Sequence, residues 1–400
     1  MKVLVADAFE KSGLDGLAAL GCEVLYEPKL EGAALGARLA ETGAEVLVVR
    51  GTKVGAPEIE VASGLALVVR AGAGVNTIDL GAASARAIAV SNCPGKNAIA
   101  VAELTWGLIL ALDRRLVEQA NDLSAGIWNK ALYGKARGLA GRTLGVVGLG
   151  AIGLEVVGRA RAFGMPVVAW SRSLDDDLAS RLGVARADSV HALAAASDVV
   201  TVHCALTKET AGMLDVRFFE AMKPGAFFVN TSRGEVVDAA ALRKAVTERG
   251  IRAGLDVFEK EPAGGTGTFE DDIVKNPGVI GTHHVGASTD QAQSAIAAET
   301  VRIVAAFASS GEVPNAVNLA SRTPATHVLS VRHRDRIGVL AHVFGVLSAA
   351  GINVEKTENV VFAGAEAACA RIQVGSAPPT GVLEEIRGCA DVLSISVRAV

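Results

Sequence analysis

The chain has 400 residues, of which half are apolar and a fifth are charged, with 44 glycines, 4% aromatics and a formal net charge of −4. That length exceeds what one core organises, so two or three domains are expected. The apolar content excludes a disordered chain, and the mildly acidic balance leaves no footprint for nucleic acid or an anionic membrane. Small molecules are the expected partners.

The opening MKVLVADAFE reads as a strand and a turn, without the apolar segment of a secretory signal. The apolar run Leu104 to Leu112 is too short for the ~18 residues of a membrane span. Cys22, Cys93, Cys204, Cys369 and Cys389 are scattered and never spaced C-x-x-C. Thiols in a reducing cytoplasm are expected, with no metal site and no disulfide framework.

Up to about residue 97, β-branched runs (VLVAD, EVLVV, ALVV, AIAV) alternate with helical stretches, the rhythm of a parallel sheet. A long helix is expected from Ile99 to about Ala120. A second series follows, TLGVVG, PVVAW, DVVTVH, AFFVN and RAGLDVF, and then a helix to about Ser310. Periodicity is then lost among Pro, Asn, Ser and Thr, as in a linker. The last stretch reads strand, helix, strand, strand, helix, strand, the ferredoxin-like order. The expected fold is α/β: two doubly wound parallel-sheet (Rossmann-like) domains and a C-terminal ferredoxin-like α+β domain. The boundaries are 1–97 with 285–316, then 98–284, a linker at 317–325, and 326–400.

Gly148, Gly150 and Gly153 form G-x-G-x-x-G, with Ala151 and Ile152 between, after the strand LGVV and at the start of a helix. The first glycine permits a tight turn, the second a close approach of backbone to pyrophosphate, and the third helix-to-strand packing. The helix N-terminus then faces the phosphates. In this strand–turn–helix context the loop predicts dinucleotide binding. The acid that would hold the ribose 2′-OH is missing, because the next strand ends in Ser171-Arg172. Arg172 either pairs with a 2′-phosphate or is a solvated loop residue, so NAD is the expected cofactor with NADP left open.

Three further segments sit at strand ends: Asn230 to Asp238 (NTSRGEVVD), Gly254 to Pro262 (GLDVFEKEP) and His283 to Thr289 (HHVGAST). Together they resemble the D-isomer-specific 2-hydroxyacid dehydrogenases over residues 1 to about 316. The resemblance implies Arg233 as substrate anchor, Glu261 as partner of the imidazole and His284 as base. Hydride transfer from a 2-hydroxy acid does need a cation for the carboxylate and a base for the hydroxyl proton. His283 is the rival of His284 and stands where that family usually has proline. The resemblance further implies that Asp256 contacts the nicotinamide carboxamide and that Thr231, Ser232 and Gly286 line the cofactor. His203 falls near the adenosine, although Cys204-Ala205 departs from the family pattern.

Within that family, members acting on 3-phospho-D-glycerate place substrate contacts where this chain has Arg50, Arg70 and Asn97. Gly72, Ala73 and Gly74 would offer N–H groups to the carboxylate. Arg50 and Lys53 are a candidate phosphate clamp or ordinary surface cations. Trp128, Lys130 and the helix from Ile99 resemble subunit-contact segments, so a homodimer or homotetramer is expected. The tail VRHRDRIGVLAHVFGVLSAAGINV resembles an ACT domain. The resemblance places an amino-acid effector, serine, between paired ACT domains at His333, Asp335 and Asn353; the alternative is a module for oligomer contacts alone. The expected reaction is oxidation of 3-phospho-D-glycerate to 3-phosphooxypyruvate. The alternatives are reduction of glyoxylate or hydroxypyruvate, and a nucleotide-sensing scaffold that binds proteins.

Overall fold

The computed structural model describes residues 1–262, 266–320 and 322–400. They form two compact units, Met1–Asn318 and Leu319–Val400.

The first unit holds two parallel sheets. In the first, β1 (Lys2–Val5), β2 (Glu23–Tyr26), β3 (Val46–Val49), β4 (Leu67–Arg70) and β5 (Ala89–Asn92) lie in the order β2-β1-β3-β4-β5. Its central strands are runs of Val and Leu because helices cover both faces, and every residue of β3 is buried. The edge strand β2 (EVLY) has no fully buried residue and only a short apolar run, so its sequence signal is weak. Helix Asp290–Ser310 packs on helix Lys11–Ala19, where a side chain at Gly16 would strike Val301.

The chain then returns along the free edge of β5. Ser91 donates to the Pro314 carbonyl (2.6 Å), and the Val317 N–H donates to Val90 (2.8 Å). The Asn318 side chain accepts from the Val90 N–H (2.8 Å) and donates to the Ile88 carbonyl (2.9 Å). This segment blunts an otherwise exposed edge. It also corrects the expected linker, because residues 317 and 318 are bound to the sheet and the connection starts at Leu319. Ser321, within the expected linker, lies outside the described residues.

The second sheet comprises β6 (Leu144–Val147), β7 (Val167–Trp170), β8 (Ala185–Arg186), β9 (Val199–Val202), β10 (Phe227–Asn230), β11 (Arg252–Leu255) and β12 (Val279–Gly281), in the order β12-β11-β10-β9-β6-β7-β8. The order reverses between β6 and β9, the switch point where doubly wound sheets bind ligands. The expected single helix from Ile99 is instead Ala98–Arg114 followed by Leu116–Ser124. Arg115 adopts φ 53° and ends the first helix, and Arg252 caps the freed Leu112 carbonyl while also pairing with Glu118 (2.6 Å). No helix among the described residues is long and apolar enough to cross a membrane.

In the second unit, β13 (His327–Arg334), β14 (Val354–Val361), β15 (Ala367–Val374) and β16 (Val392–Ala399) form an antiparallel sheet ordered β14-β15-β13-β16. Leu329, Val331, Ala370 and Ile372 pack with Val343, Leu347 and Ile386 of helices Val339–Ala349 and Thr380–Arg387. This is the expected ferredoxin-like layout.

One buried acid ties the first unit together. Glu299 is contacted by Arg302 (2.6 and 3.1 Å), Asn315 (2.7 Å) and Lys96 (3.3 Å). The Arg302 hydrogen bonds first, then Asn315 and Lys96, outweigh its burial and bring its carboxyl down to about 2 from 4.5. A carboxylate whose folded value is depressed stabilises fully above its unfolded value, and that stability is lost as pH falls through the folded value. Wild type is therefore expected to lose about 3 kcal/mol more than Glu299→Gln between pH 4.5 and 2. Urea midpoints across that range check this, and parallel curves for the two proteins would refute it.

Candidate active site

The cofactor turn follows β6. Gly148 has φ 97°, and a Cβ there would lie 2.8 Å from the carbonyl of His203 at the end of β9. A Cβ on Gly153 would lie 2.1 Å from the Gly148 oxygen, whereas one on Gly150 would meet nothing within 4 Å. The first and third glycines thus serve the packing of the turn itself, and the second leaves open space before helix Ala151–Ala162. That helix has no side-chain cap, so its first N–H groups remain available to a phosphate.

His203 is buried. Its Nε2 meets Thr201 Oγ1 (2.9 Å), and its Nδ1 has no partner among the described residues. Burial drives the imidazole down to about 3, so it stays neutral and performs no acid–base chemistry near neutrality. At the end of β7, Ser171 is half-buried, and Arg172 is exposed with no ion pair among the described residues. The carboxylates beyond them are already engaged: Asp175 caps Leu178 (2.7 Å), Asp176 pairs with Arg186 of β8 (3.0 Å) and Asp177 with Arg181.

The loops after β11 and β12 bring the imidazole to its carboxylate. His284 Nδ1 lies 2.7 Å from Glu261 Oε2, and Glu261 Oε1 accepts the Phe258 N–H (2.9 Å). Burial raises the Glu261 carboxyl, but the His284 and Phe258 hydrogen bonds outweigh it, and the charges of His284 and Arg233 add to them. Glu261 is thereby held below its ordinary value and accepts the Nδ1 proton, leaving Nε2 with the free lone pair. His283 is exposed and meets no carboxylate among the described residues.

His284 has φ 52°, a left-handed conformation that costs a non-glycine residue about 1 kcal/mol or more. Asp256, fully buried, overdetermines it. The Asp256 carbonyl accepts the His284 N–H (2.8 Å), and its carboxylate accepts from Thr282 Oγ1 (2.6 Å) and from the Val285 and Gly286 N–H groups (both 2.9 Å). Both oxygens of Asp256 are thus engaged by the histidine loop.

Arg233 comes from the turn after β10. Asn230 shapes that turn: its Oδ1 accepts from the Ser232 N–H (2.9 Å) and hydroxyl (2.8 Å), and its Nδ2 donates to the Arg233 carbonyl (2.8 Å). Thr231 Oγ1 meets Thr105 Oγ1 (3.0 Å) on helix Ala98–Arg114. The Arg233 guanidinium reaches the loop after β4, where a Cβ on Gly74 would lie 2.4 Å from Nη2. A Cβ on Gly72 would likewise overlap the Arg70 guanidinium. Asn92 holds the Ala73 carbonyl (2.5 Å), and the Cys93 N–H holds Gly72 (2.9 Å).

Arg70 is the most constrained cation here. Burial first, then the neighbouring charges of Arg233 and Arg50, lower its guanidinium to about 10, and its Nε is buried without a partner among the described residues. Arginines at the end of β4 and just after β3 and β10 thus act on one another's region, with no carboxylate in an ion pair with any of them among the described residues. Lys53 is exposed on the Arg50 loop, and Asn97 precedes helix Ala98–Arg114 without capping it through its side chain.

Asn92 and Asn230 organise these loops, a role no motif in the sequence assigns them. Their shared signal is a polar residue at the end of a buried strand.

The second unit does not bring its three candidate residues together. His333 is buried with its nitrogens toward the Arg334 carbonyl (2.7 Å) and Asn359 Oδ1 (3.2 Å). Asp335 follows β13 next to Glu366, whereas Asn353 precedes β14 at the end where His327 and Val374 pair. The sheet therefore holds Asp335 and Asn353 at opposite ends. An effector held by all three residues therefore needs a second copy of this module, as in the expected site between paired ACT domains.

A doubly wound sheet with a glycine turn at its switch point defines a dinucleotide-binding fold. Residues 106–286 match the family described as D-isomer specific 2-hydroxyacid dehydrogenase, NAD binding domain, and residues 327–358 match the ACT domain. A D-3-phosphoglycerate dehydrogenase of Archaeoglobus fulgidus is 37% identical over 81% of this chain and 60% of its own length. A glyoxylate reductase of Thermococcus litoralis is 37% identical over 66% of this chain and 81% of its own length. A D-3-phosphoglycerate dehydrogenase of Rattus norvegicus is 32% identical over 99% of this chain and 73% of its own length. The chain thus spans about three fifths of the length of the Archaeoglobus relative. It belongs to the D-isomer specific 2-hydroxyacid dehydrogenase family, and its second sheet is that family's NAD-binding domain.

Proposed function

We propose that this chain is a D-3-phosphoglycerate dehydrogenase, oxidising 3-phospho-D-glycerate to 3-phosphooxypyruvate with NAD as the first step of serine synthesis. The observation that carries this reading is the group of Arg50, Arg70 and Arg233, in which Arg70 is lowered to about 10 and lacks a partner for Nε among the described residues. A buried cation with two further cations acting on it calls for more than one anionic group, and a substrate with a carboxylate and a phosphate supplies two. Arg233, Asn97 and the N–H groups of residues 72–74 take the carboxylate end. Arg50 and Lys53 take the phosphate.

In this reading His284 Nε2 removes the C2 hydroxyl proton as the C2 hydride leaves, and the C2–O bond becomes a carbonyl. Bound nicotinamide supplies the hydride acceptor. Glu261 orients the imidazole and stabilises its protonated form. Gly148 to Gly153 with Ser171, His203, Thr231, Ser232 and Gly286 hold the cofactor, and Asp256 sets the loop that presents His284. The first sheet with residues 285–316 binds substrate, residues 98–284 bind cofactor, and residues 326–400 take an amino-acid effector. The exposed Leu116, Leu123, Ile127 and Trp128 (78%) support a homo-oligomer, and five free thiols support a cytoplasmic location.

The second reading is glyoxylate or hydroxypyruvate reduction, favoured by the Thermococcus relative. Reduction of 3-phosphooxypyruvate, hydroxypyruvate and glyoxylate, each with NADH and NADPH, separates the two. The phosphorylated acid is expected to lead in kcat/KM by about 10²-fold. Preference for either unphosphorylated acid would overturn the first reading, and the NADPH arm tests whether Arg172 receives a 2′-phosphate.

A further inference from the structure

Asp7 stands at the end of β1, at the switch point of the first sheet beside β3. Its Oδ2 accepts three consecutive backbone N–H groups, from Arg50 (2.6 Å), Gly51 (3.0 Å) and Thr52 (3.0 Å). Its Oδ1 accepts the Thr52 hydroxyl (3.0 Å). Consecutive N–H groups converging on one point form an anion-binding nest. Here the anion is the protein's own carboxylate, so these N–H groups are not available to a ligand. The backbone of residues 50–52 is instead fastened to β1, which leaves Arg50 and Lys53 as the loop's groups for an anion.

We propose that Asp7 is the positioning residue of the phosphate clamp: by fastening residues 50–52 it sets where Arg50 and Lys53 present their cations, and thereby the preference for a phosphorylated acid. This rests on the assignment of Arg50 and Lys53 to the phosphate. Asp7 also acts electrostatically on Arg70, favouring its protonated form against the repulsion of Arg50 and Arg233. Geometry and charge can be separated. In Asp7→Asn the carbonyl can occupy the nest while the amide donates to Thr52 Oγ1, which can turn its own proton to the Leu30 carbonyl (3.4 Å). In Asp7→Ala three N–H groups lose their acceptor.

The test is steady-state reduction of 3-phosphooxypyruvate and of hydroxypyruvate, which differ by the phosphate, using the full chain. Asp7→Ala is expected to raise KM for the phosphorylated acid by about tenfold or more, with kcat and the KM for hydroxypyruvate changed by less than about threefold. Asp7→Asn is expected to restore KM to within about threefold. Should Asp7→Ala not fold, Thr52→Val removes one of the four bonds and is expected to raise the same KM alone by about threefold. Arg50→Ala is the control. If it separates the two acids but Asp7→Ala and Thr52→Val affect both equally or neither, the Asp7 proposal falls and the phosphate clamp stands. If Arg50→Ala does not separate them, the clamp falls, and the Asp7 proposal with it.

Discussion

His284→Ala is expected to lower kcat by about 10³-fold while KM for the hydroxy acid changes by only a few-fold. The imidazole is held by Glu261 through Nδ1 and leaves Nε2 free, whereas in the proposed function the ground-state substrate is bound chiefly by arginines. Glu261→Gln still offers an oxygen to Nδ1 but removes the charge that stabilises the imidazolium. Its kcat is expected to fall by about 10- to 100-fold. His283→Ala is expected to stay within about threefold of wild type, because that ring has no carboxylate partner among the described residues. Single-turnover rates of all three variants check this. A rate for His284→Ala within tenfold of wild type would place the base elsewhere.

Gly234→Ala is expected to damage stability and catalysis together. A Cβ there would lie 2.1 Å from the Phe258 carbonyl carbon and 2.4 Å from the Glu259 nitrogen. Both are backbone atoms, which cannot rotate away as a side chain does. One wall of that contact carries Arg233, and the other carries the Phe258 N–H that orients Glu261. Forcing them apart should cost about 3 kcal/mol and lower kcat/KM by about 10²-fold, since both the anchor and the partner of the base move. Thermal unfolding with kinetics on the folded fraction measures the two effects. A variant with wild-type stability and kinetics would mean that the loops adjust at no cost.

Much of the fold is legible in the chain because both parallel sheets are covered on each face. Strands buried on two sides are dominated by apolar β-branched residues, so β3 (VLVV) and β6 (LGVV) announce themselves. The strands β2 and β8 lie at or near sheet edges, carry exposed residues and give no such signal. The helix from residue 98 shows its apolar face in sequence but not its end at Arg115. That end depends on Arg252, more than a hundred residues later, reaching the Leu112 carbonyl.

The glycine turn can be read position by position because each glycine answers a local steric demand within a few residues. Arg233, Glu261 and His284 stand out as residue types suited to one chemistry. Which histidine meets Glu261 depends on a left-handed backbone held by Asp256 from a different strand.

The sequence by itself determined the α/β class, the place of the dinucleotide turn and the residue types that can move a proton and hold a carboxylate, since periodicity and short-range sterics are properties of neighbouring residues. Only the tertiary structure decided that the charges of Arg50 and Arg233 act on Arg70, that Asp7 fastens the loop after β3, and that Asp335 and Asn353 lie at opposite ends of one sheet. Those relations join residues far apart in the chain. Charge repulsion, burial and strand register act through space, and no spacing along the sequence encodes them.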